Sequence, residues 1–406
     1  MKQLFTNANI LTPGTEIPQN ASLITDGGQI SAVGNDLGSG AEKSIDCNGQ
    51  ILAPGIVDLG VFAIDKPAFR FGGITRVGLM PDQSPVLDLP AMIKHRAAEG
   101  KPDLWSHPMA AATKGLTGKE IAEIALMKES GTKAVATGRS WIADSGLMMK
   151  LLQYCKTLEL PLIVHSEDGG LTAGTVATNG ETATRLGLTS APSAAEALSI
   201  ARDIALVRET GAHVHFRQIT TAAGLELIRR AKNDQLPVSC GITPAHFLLS
   251  DIAIADFRTF ARLSPPLRDE EDRIACIEAI KDGTIDVICS GHDPRGAEDK
   301  RLPFAEANPG MAGAETLLAL SLNLVREKTV SLGRLFELLS TNPAKLLDIE
   351  AGSIAKGYEA DFILLDTEKP WQINAHQMKA SAGNTPFDGL PVQGMVTLMY
   401  KGGRAI

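Results

Sequence analysis

No Cys-x-x-Cys pair, no cluster of basic residues and no long apolar run occurs in these 406 residues, and each absence removes a class of function. The five cysteines, Cys47, Cys155, Cys240, Cys276 and Cys289, are scattered and odd in number. That pattern suits reduced, buried thiols rather than a zinc ribbon or a disulfide framework. Nothing approaches the roughly 18 unbroken apolar residues of a membrane span, so the chain reads as soluble. A formal charge of -8 without a Lys/Arg cluster argues against nucleic acid or an anionic membrane as partner. The opening Met1-Lys2-Gln3-Leu4-Phe5-Thr6-Asn7-Ala8-Asn9 has neither the apolar run of a secretory signal nor the arginines of a transit peptide, and the expected compartment is the cytoplasm. Internal repeats and low-complexity tracts are missing too.

What is present divides into two periodicities. Residues 23–34 alternate apolar and polar positions between Gly and Asp turns, and 360–366 and 394–403 are similarly strand-like. Residues 1–50 and 350–406 are therefore expected to pair into one small β-sandwich module, split by sequence. Between them, over 51–349, short apolar runs alternate with longer amphipathic stretches. Leu162-Ile163-Val164-His165, then 194–210, then 214–219, then 222–232 show the alternation of βα units and a parallel sheet. Runs ending near Leu79, Val135, Val164, Ile219, Cys240 and Cys289 supply strands for an α/β fold of the (β/α)₈ barrel type. In such a barrel, chemistry lies just after each strand, at the C-terminal face.

The motifs Ala53-Pro54-Gly55-Ile56-Val57-Asp58-Leu59, Gly72-Gly73-Ile74-Thr75, Met80-Pro81, His165-Ser166-Glu167-Asp168, Ala201-Arg202-Asp203, Pro265-Pro266-Leu267-Arg268 and Asp282-Gly283-Thr284-Ile285-Asp286 occur in an order and spacing that resemble the dihydroorotases of the amidohydrolase superfamily. Gly313-Ala314-Glu315-Thr316 and Asn384-Thr385-Pro386-Phe387-Asp388-Gly389 carry the likeness toward the C-terminus. The resemblance implies a barrel holding one or two zinc ions that activate water for cyclic amide hydrolysis or its reversal.

The residues that the family uses for this chemistry are largely replaced. Its His-x-His after the first barrel strand is Gly60-Val61-Phe62, and its substrate-binding Arg falls at Ile64. Only 63–71 separate this point from Gly72-Gly73, so the barrel is expected to be distorted near its first helix. The family's Asn after Met-Pro is Asp82, an anion expected to repel an anionic substrate. Its bridging carboxylate position falls within Val135-Ala136-Thr137-Gly138-Arg139-Ser140, which holds no Asp, Glu or Lys; the register around Gly138 and Arg139 stays open. His165 matches a true ligand position. The next ligand His is Gln218, the catalytic Asp is Gly291, and a substrate-contact His is Arg295.

Two sets of residues are candidates for a rebuilt metal centre. His213 and His215 are expected to face the surrounding helices, because Gln218 would share the inward face with Phe216 and Val214. His165, His292 and Asp293 reach the three protein ligands of a catalytic zinc if their loop bends inward. The favoured expectation is a chain with no catalytic residue, no metal and no cofactor, not an enzyme, similar to the pseudo-dihydroorotases. Its implied partner is the catalytic chain of aspartate carbamoyltransferase in pyrimidine biosynthesis, within a homo- or hetero-oligomer. The rivals are an active cyclic amidohydrolase with a rebuilt centre and a ligand-sensing subunit whose pocket holds Asp82 and Arg295.

Overall fold

The computed structural model of the chain describes every residue except 1, 13, 36, 38 and 39, so Met1 of the opening stretch lies outside the described residues. The period-2 segments near both termini form one sheet. Gln3–Ile10 pairs antiparallel with Gln19–Asp26, which continues into Gln29–Gly34. Gly27 and Gly28 both have positive φ, 57° and 87°, the two-residue hairpin geometry that matches strand twist. Gln3–Ile10 also runs parallel to Lys43–Asp46 and Ile51–Pro54, and Ile51–Pro54 carries the late strand Phe362–Gln372, paired in turn with Pro391–Lys401. Phe5, Phe362 and Tyr400 lock the two ends together, with ring centroids 5.0, 4.9 and 4.8 Å apart.

The middle of the chain is the expected (β/α)₈ barrel. Ile56–Val61, Ile74–Leu79 and Trp105–Pro108 run side by side, and Ala110–Ala111, Val135–Ala136, Leu162–Val164, Val214–Phe216, Val238–Ile242 and Val287–Ile288 form a second parallel run. The Met109 N–H donates to Leu79 O at 2.9 Å and joins the two runs. The ring closes where the Phe62 N–H donates to His292 O at 2.8 Å and the Ser290 N–H donates to Asp58 at 2.8 Å. Buried on both faces, these strands are short apolar runs rather than alternating ones.

Helix ends follow local chemistry. Asp144 accepts the Leu147 N–H at 2.9 Å and starts Ser145–Thr157; Asp269 accepts the Asp272 N–H at 2.9 Å and starts Glu270–Lys281, whose acidic first turn suits the helix dipole. The distortion near the first barrel helix is a shortening: Lys66–Gly72 has 7 residues, against 17 for Ala194–Thr210. Among the described residues no helix is long and apolar enough to cross a membrane.

Barrel and terminal sheet are joined by buried charge. Arg76, on the barrel strand Ile74–Leu79, donates to Asp361 at 3.0 Å and to Glu359, while Lys401, 1% exposed, donates to Glu359 at 2.8 Å and to Asp361 at 2.9 Å. Removing one member leaves the others charged and desolvated. Asp361→Ala is expected to destabilise the protein by about 3–5 kcal/mol, read from urea unfolding followed by tryptophan fluorescence.

Candidate functional site

The strand Ile56–Val61 delivers Phe62 to the barrel mouth, and two guanidinium groups lie over its ring. Arg139 Cζ is 3.6 Å from the ring centroid and Arg217 Cζ is 5.3 Å from it. Gly60 makes room for this. Its φ is +92°, and a β-carbon there would touch Arg217 Cδ at 3.7 Å and Met80 Sδ at 3.9 Å, so a longer side chain would run into Arg217. The position at which the resemblance calls for a metal-binding His is thus space through which Arg217 passes.

Arg217 is buried, and its Nη2 lies 3.3 Å from His165 Nδ1. His165 Nε2 in turn lies 3.4 Å from Glu167, and Glu167 accepts from Arg268 at 2.8 Å. This chain assigns the tautomer of His165: Nδ1 accepts from the guanidinium, so the proton sits on Nε2 and faces the carboxylate. Burial by itself would raise the Glu167 pKa, but the His165 hydrogen bond and the Arg268 charge outweigh it and hold the carboxyl at about 2. Burial, and next the positive charge of Arg139, lower the Arg217 pKa from its ordinary value.

Arg268 gives the Pro265-Pro266-Leu267-Arg268 motif its meaning. It also donates to Thr220 Oγ1 at 2.9 Å and Thr178 Oγ1 at 3.0 Å. Beside it the fully buried Glu196 accepts the Thr220 and Thr221 N–H groups at 3.0 and 2.8 Å and both hydroxyls at 2.6 Å. Two motif segments far apart in sequence are thereby tied beneath the mouth.

The other residues singled out in the sequence are dispersed. Asp293 is held by Arg139 at 2.8 Å and by Arg295 at 3.2 Å, with its carboxylate packed where Gly310 has no side chain. His292 turns away from both Asp293 and His165: its Nδ1 accepts the Ala314 N–H at 3.3 Å, and its Nε2 faces Asp65 at 3.5 Å. Asp82 accepts the Arg139 N–H at 2.9 Å through Oδ1, because Gly138 lets the carboxylate approach, and its Oδ2 is buried without a hydrogen-bond partner. His213 and His215 share the Ser239 hydroxyl, at 3.3 and 2.9 Å, away from the mouth. Strict alternation fails one step later. The strand ends at Phe216, and both Arg217 and Gln218 reach the mouth. Arg139 and Arg217, the two residues that fill the site, are those that strand parity and ligand matching did not select. Their signal is the loss of bulk at Gly60 together with arginines just after two strands.

Two cavities open here. One, of about 20 Å³, lies between Phe62, Arg139, Arg217, Gln218 and Thr243, with room for about one water molecule. The other, of about 190 Å³, is bounded by Arg139, Arg262, Thr172, Thr175, His165 and Glu167. A catalytic zinc takes three ligands from His, Asp, Glu or Cys. The donor set at this mouth does not fit one: Phe62 presents a ring, His165 has both nitrogens engaged, Asp293 is held by two arginines, and two guanidinium groups already bring positive charge. Among the described residues no group of three His, Cys, Asp or Glu is placed to hold an ion, so His165, His292 and Asp293 do not form a rebuilt centre.

The Glu167 shift has a consequence for stability. Its folded pKa lies below the ordinary value of 4.5, so the stabilisation is present above about pH 4.5 and is lost as pH falls through about 2. The difference is on the order of 3 kcal/mol. Glu167→Gln is expected to flatten the fall in unfolding free energy between pH 5 and pH 2, measured by urea titration at each pH. A variant with the wild-type slope would refute the assignment.

Comparison with known proteins gives the ancestry. A sequence profile of the amidohydrolase family matches residues 84–406. The dihydroorotase of Syntrophus aciditrophicus is 33% identical over 423 residues, covering 100% of this chain and 99% of that protein. A dihydroorotase-like protein of Pseudomonas aeruginosa is 34% identical over 406 residues, covering 96% and 95%. Among solved structures, the L-hydantoinase (dihydropyrimidinase) of Arthrobacter aurescens superimposes with a TM-score of 0.88 at 23% identity, covering 100% of this chain and 95% of that one, a likeness of fold. These findings overturn the expectation that the chain is not an enzyme, since its full-length relatives carry the name of one, dihydroorotase. The replaced ligands at Gly60, Phe62, Gln218 and Gly291 describe how the mouth is built and do not by themselves establish inactivity. Matched from end to end by dihydroorotases and over most of its length by the wider profile, the chain belongs to the amidohydrolase family and, within it, to the dihydroorotase family.

Proposed function

We propose that this chain serves pyrimidine biosynthesis in the cytoplasm as a dihydroorotase-like protein that binds a carboxylate-bearing pyrimidine precursor at its barrel mouth. The observation that carries this reading is the cavity of about 190 Å³ beside Arg139 and Arg262. Arg262 donates to the carbonyls of Phe304 at 3.0 Å, Ala305 at 2.8 Å and Ala307, and among the described residues no carboxylate pairs with it. Arg139 shares Asp293 with Arg295. A guanidinium recognises a carboxylate through paired, charge-assisted hydrogen bonds, and this cavity offers two such groups. Thr172 and Thr175 line the same space and supply hydroxyls for the uncharged part of a ureido or cyclic amide ligand.

Calorimetric titration with carbamoyl aspartate and with dihydroorotate tests this. Both are expected to bind, dihydrouracil, which lacks the carboxylate, to bind at least about tenfold more weakly, and Arg139→Ala to lose a similar factor. Equal affinity for dihydrouracil, or an unaffected Arg139→Ala, would sink the reading.

The same reading places the protein with the catalytic chain of aspartate carbamoyltransferase, whose product is carbamoyl aspartate, in a hetero-oligomer. Support comes from chemistry alone: a site for a carboxylated ureide suits a neighbour that makes one. Co-expression followed by size-exclusion chromatography is expected to give a joint peak, and separate elution would refute the association.

A further inference from the structure

We propose that the barrel mouth carries a site for a single halide ion between Arg217 and Arg139, a protein-built cationic centre that takes an anion. The starting point is a buried charge that, among the described residues, no carboxylate touches. Arg217 is 4% exposed, and among the described residues its side chain has one polar partner, the neutral Nδ1 of His165 at 3.3 Å; its Nε has none. A buried guanidinium left so is strongly disfavoured unless an anion lies close by.

Among the described residues no carboxylate is in hydrogen-bonding contact with Arg217, although Asp82 and Glu167 lie near enough for their charge to favour its ionised form. Glu167 faces His165 and Arg268, Asp82 accepts the Arg139 N–H through Oδ1 and keeps a buried Oδ2 without a partner, and Asp293 is divided between Arg139 and Arg295. Arg139 adds to the positive field, since it lies over the same Phe62 ring as Arg217. The cavity of about 20 Å³ is bounded by these two arginines, Gln218, Thr243, Phe62 and Gly291. Its size decides the kind of ligand. It holds about one water-sized particle, which admits a halide and leaves out a carboxylate or a sulfate. Water fits too, but it is neutral and leaves the charge unbalanced.

Gln218 completes the wall. Its Oε1 is buried and without a hydrogen-bond partner. Its Nε2 lies 3.5 Å from where a β-carbon on Gly291 would sit, so the N–H₂ end is the one that borders the void, a third donor for an anion. The site shares Arg139 with the larger cavity, but Arg217 and Gln218 do not border that cavity, so variants at these two positions test the ion site apart from the precursor-binding reading.

The test uses the full chain in sodium gluconate and in sodium bromide at equal ionic strength. Tm is expected to rise with bromide and to saturate as for one site, with chloride acting alike and acetate and sulfate not. Crystals grown in bromide are expected to show one anomalous peak between Arg139 and Arg217. Gln218→Glu places a fixed carboxylate beside Arg217, so its Tm in gluconate should exceed that of the wild type and its bromide response should fall at least fivefold. Arg217→Met should lose the bromide response too. A wild-type response retained in Gln218→Glu, a rise in acetate equal to that in bromide, or no anomalous peak overturns the proposal, and the crystal result stands whether or not either variant folds.

Discussion

A buried positive charge has to be solvated by something, and the barrel mouth of this protein is arranged around that requirement. The Arg217 guanidinium sits at the barrel mouth, out of water, against the face of Phe62 and within reach of one imidazole nitrogen. Each contact depends on a small residue nearby. Gly60 leaves the path for the Arg217 side chain, Gly138 lets Asp82 reach the backbone of Arg139, and Gly310 leaves the place taken by the Asp293 carboxylate. The aromatic ring and the guanidinium groups define each other, since the ring's negative face is one of the few neighbours that can offset two adjacent cations.

Beneath this tier lies a second, linked to it through His165 and Glu167. Glu196, with four hydrogen bonds from Thr220 and Thr221, and Arg268, joined to Glu167, Thr178 and Thr220, hold the loops of several strands at fixed heights. These residues serve the barrel rather than the ligand, so they constrain sequence regardless of what occupies the mouth. That separation accounts for a chain matching dihydroorotases over its full length while carrying Gly60, Phe62, Gln218 and Gly291 where the resemblance calls for metal-binding or catalytic groups. Fold and motif order reside in the lower tier; the charge at the mouth is set in the upper one.

The joint between barrel and terminal sheet follows the same logic of compensated burial, with the opposite outcome for charge. Arg76 and Lys401 meet Glu359 and Asp361, so every cation there has a carboxylate, and the group acts as a rigid coupling between residues distant in sequence. At the mouth, among the described residues, no carboxylate contacts Arg217, and the hydrogen bonds of Arg262 go to carbonyl oxygens. Carboxylate contacts to every cation distinguish the joint from the mouth.

Much of the architecture could be read from the residues in order. Period-2 alternation at both ends gave the terminal sheet, short apolar runs between amphipathic stretches gave the barrel, and the brief interval between Phe62 and Gly72 pointed to a distortion near the first helix, because these depend on local patterning that each segment carries by itself. The make-up of the site was different. Motif matching found that His165 stays and that Gly60, Phe62, Gln218 and Gly291 are altered, yet strand parity left Arg217 unassigned, since alternation holds only while the chain remains in the strand and here it ends at Phe216. That Arg139 and Arg217 meet over Phe62, and that His292 turns to Asp65 instead of joining His165, are consequences of three-dimensional packing. Sequence determined the ancestry and the order of the elements. Tertiary structure alone decided which charges find partners, because that depends on distances of a few ångströms between residues tens to hundreds of positions apart.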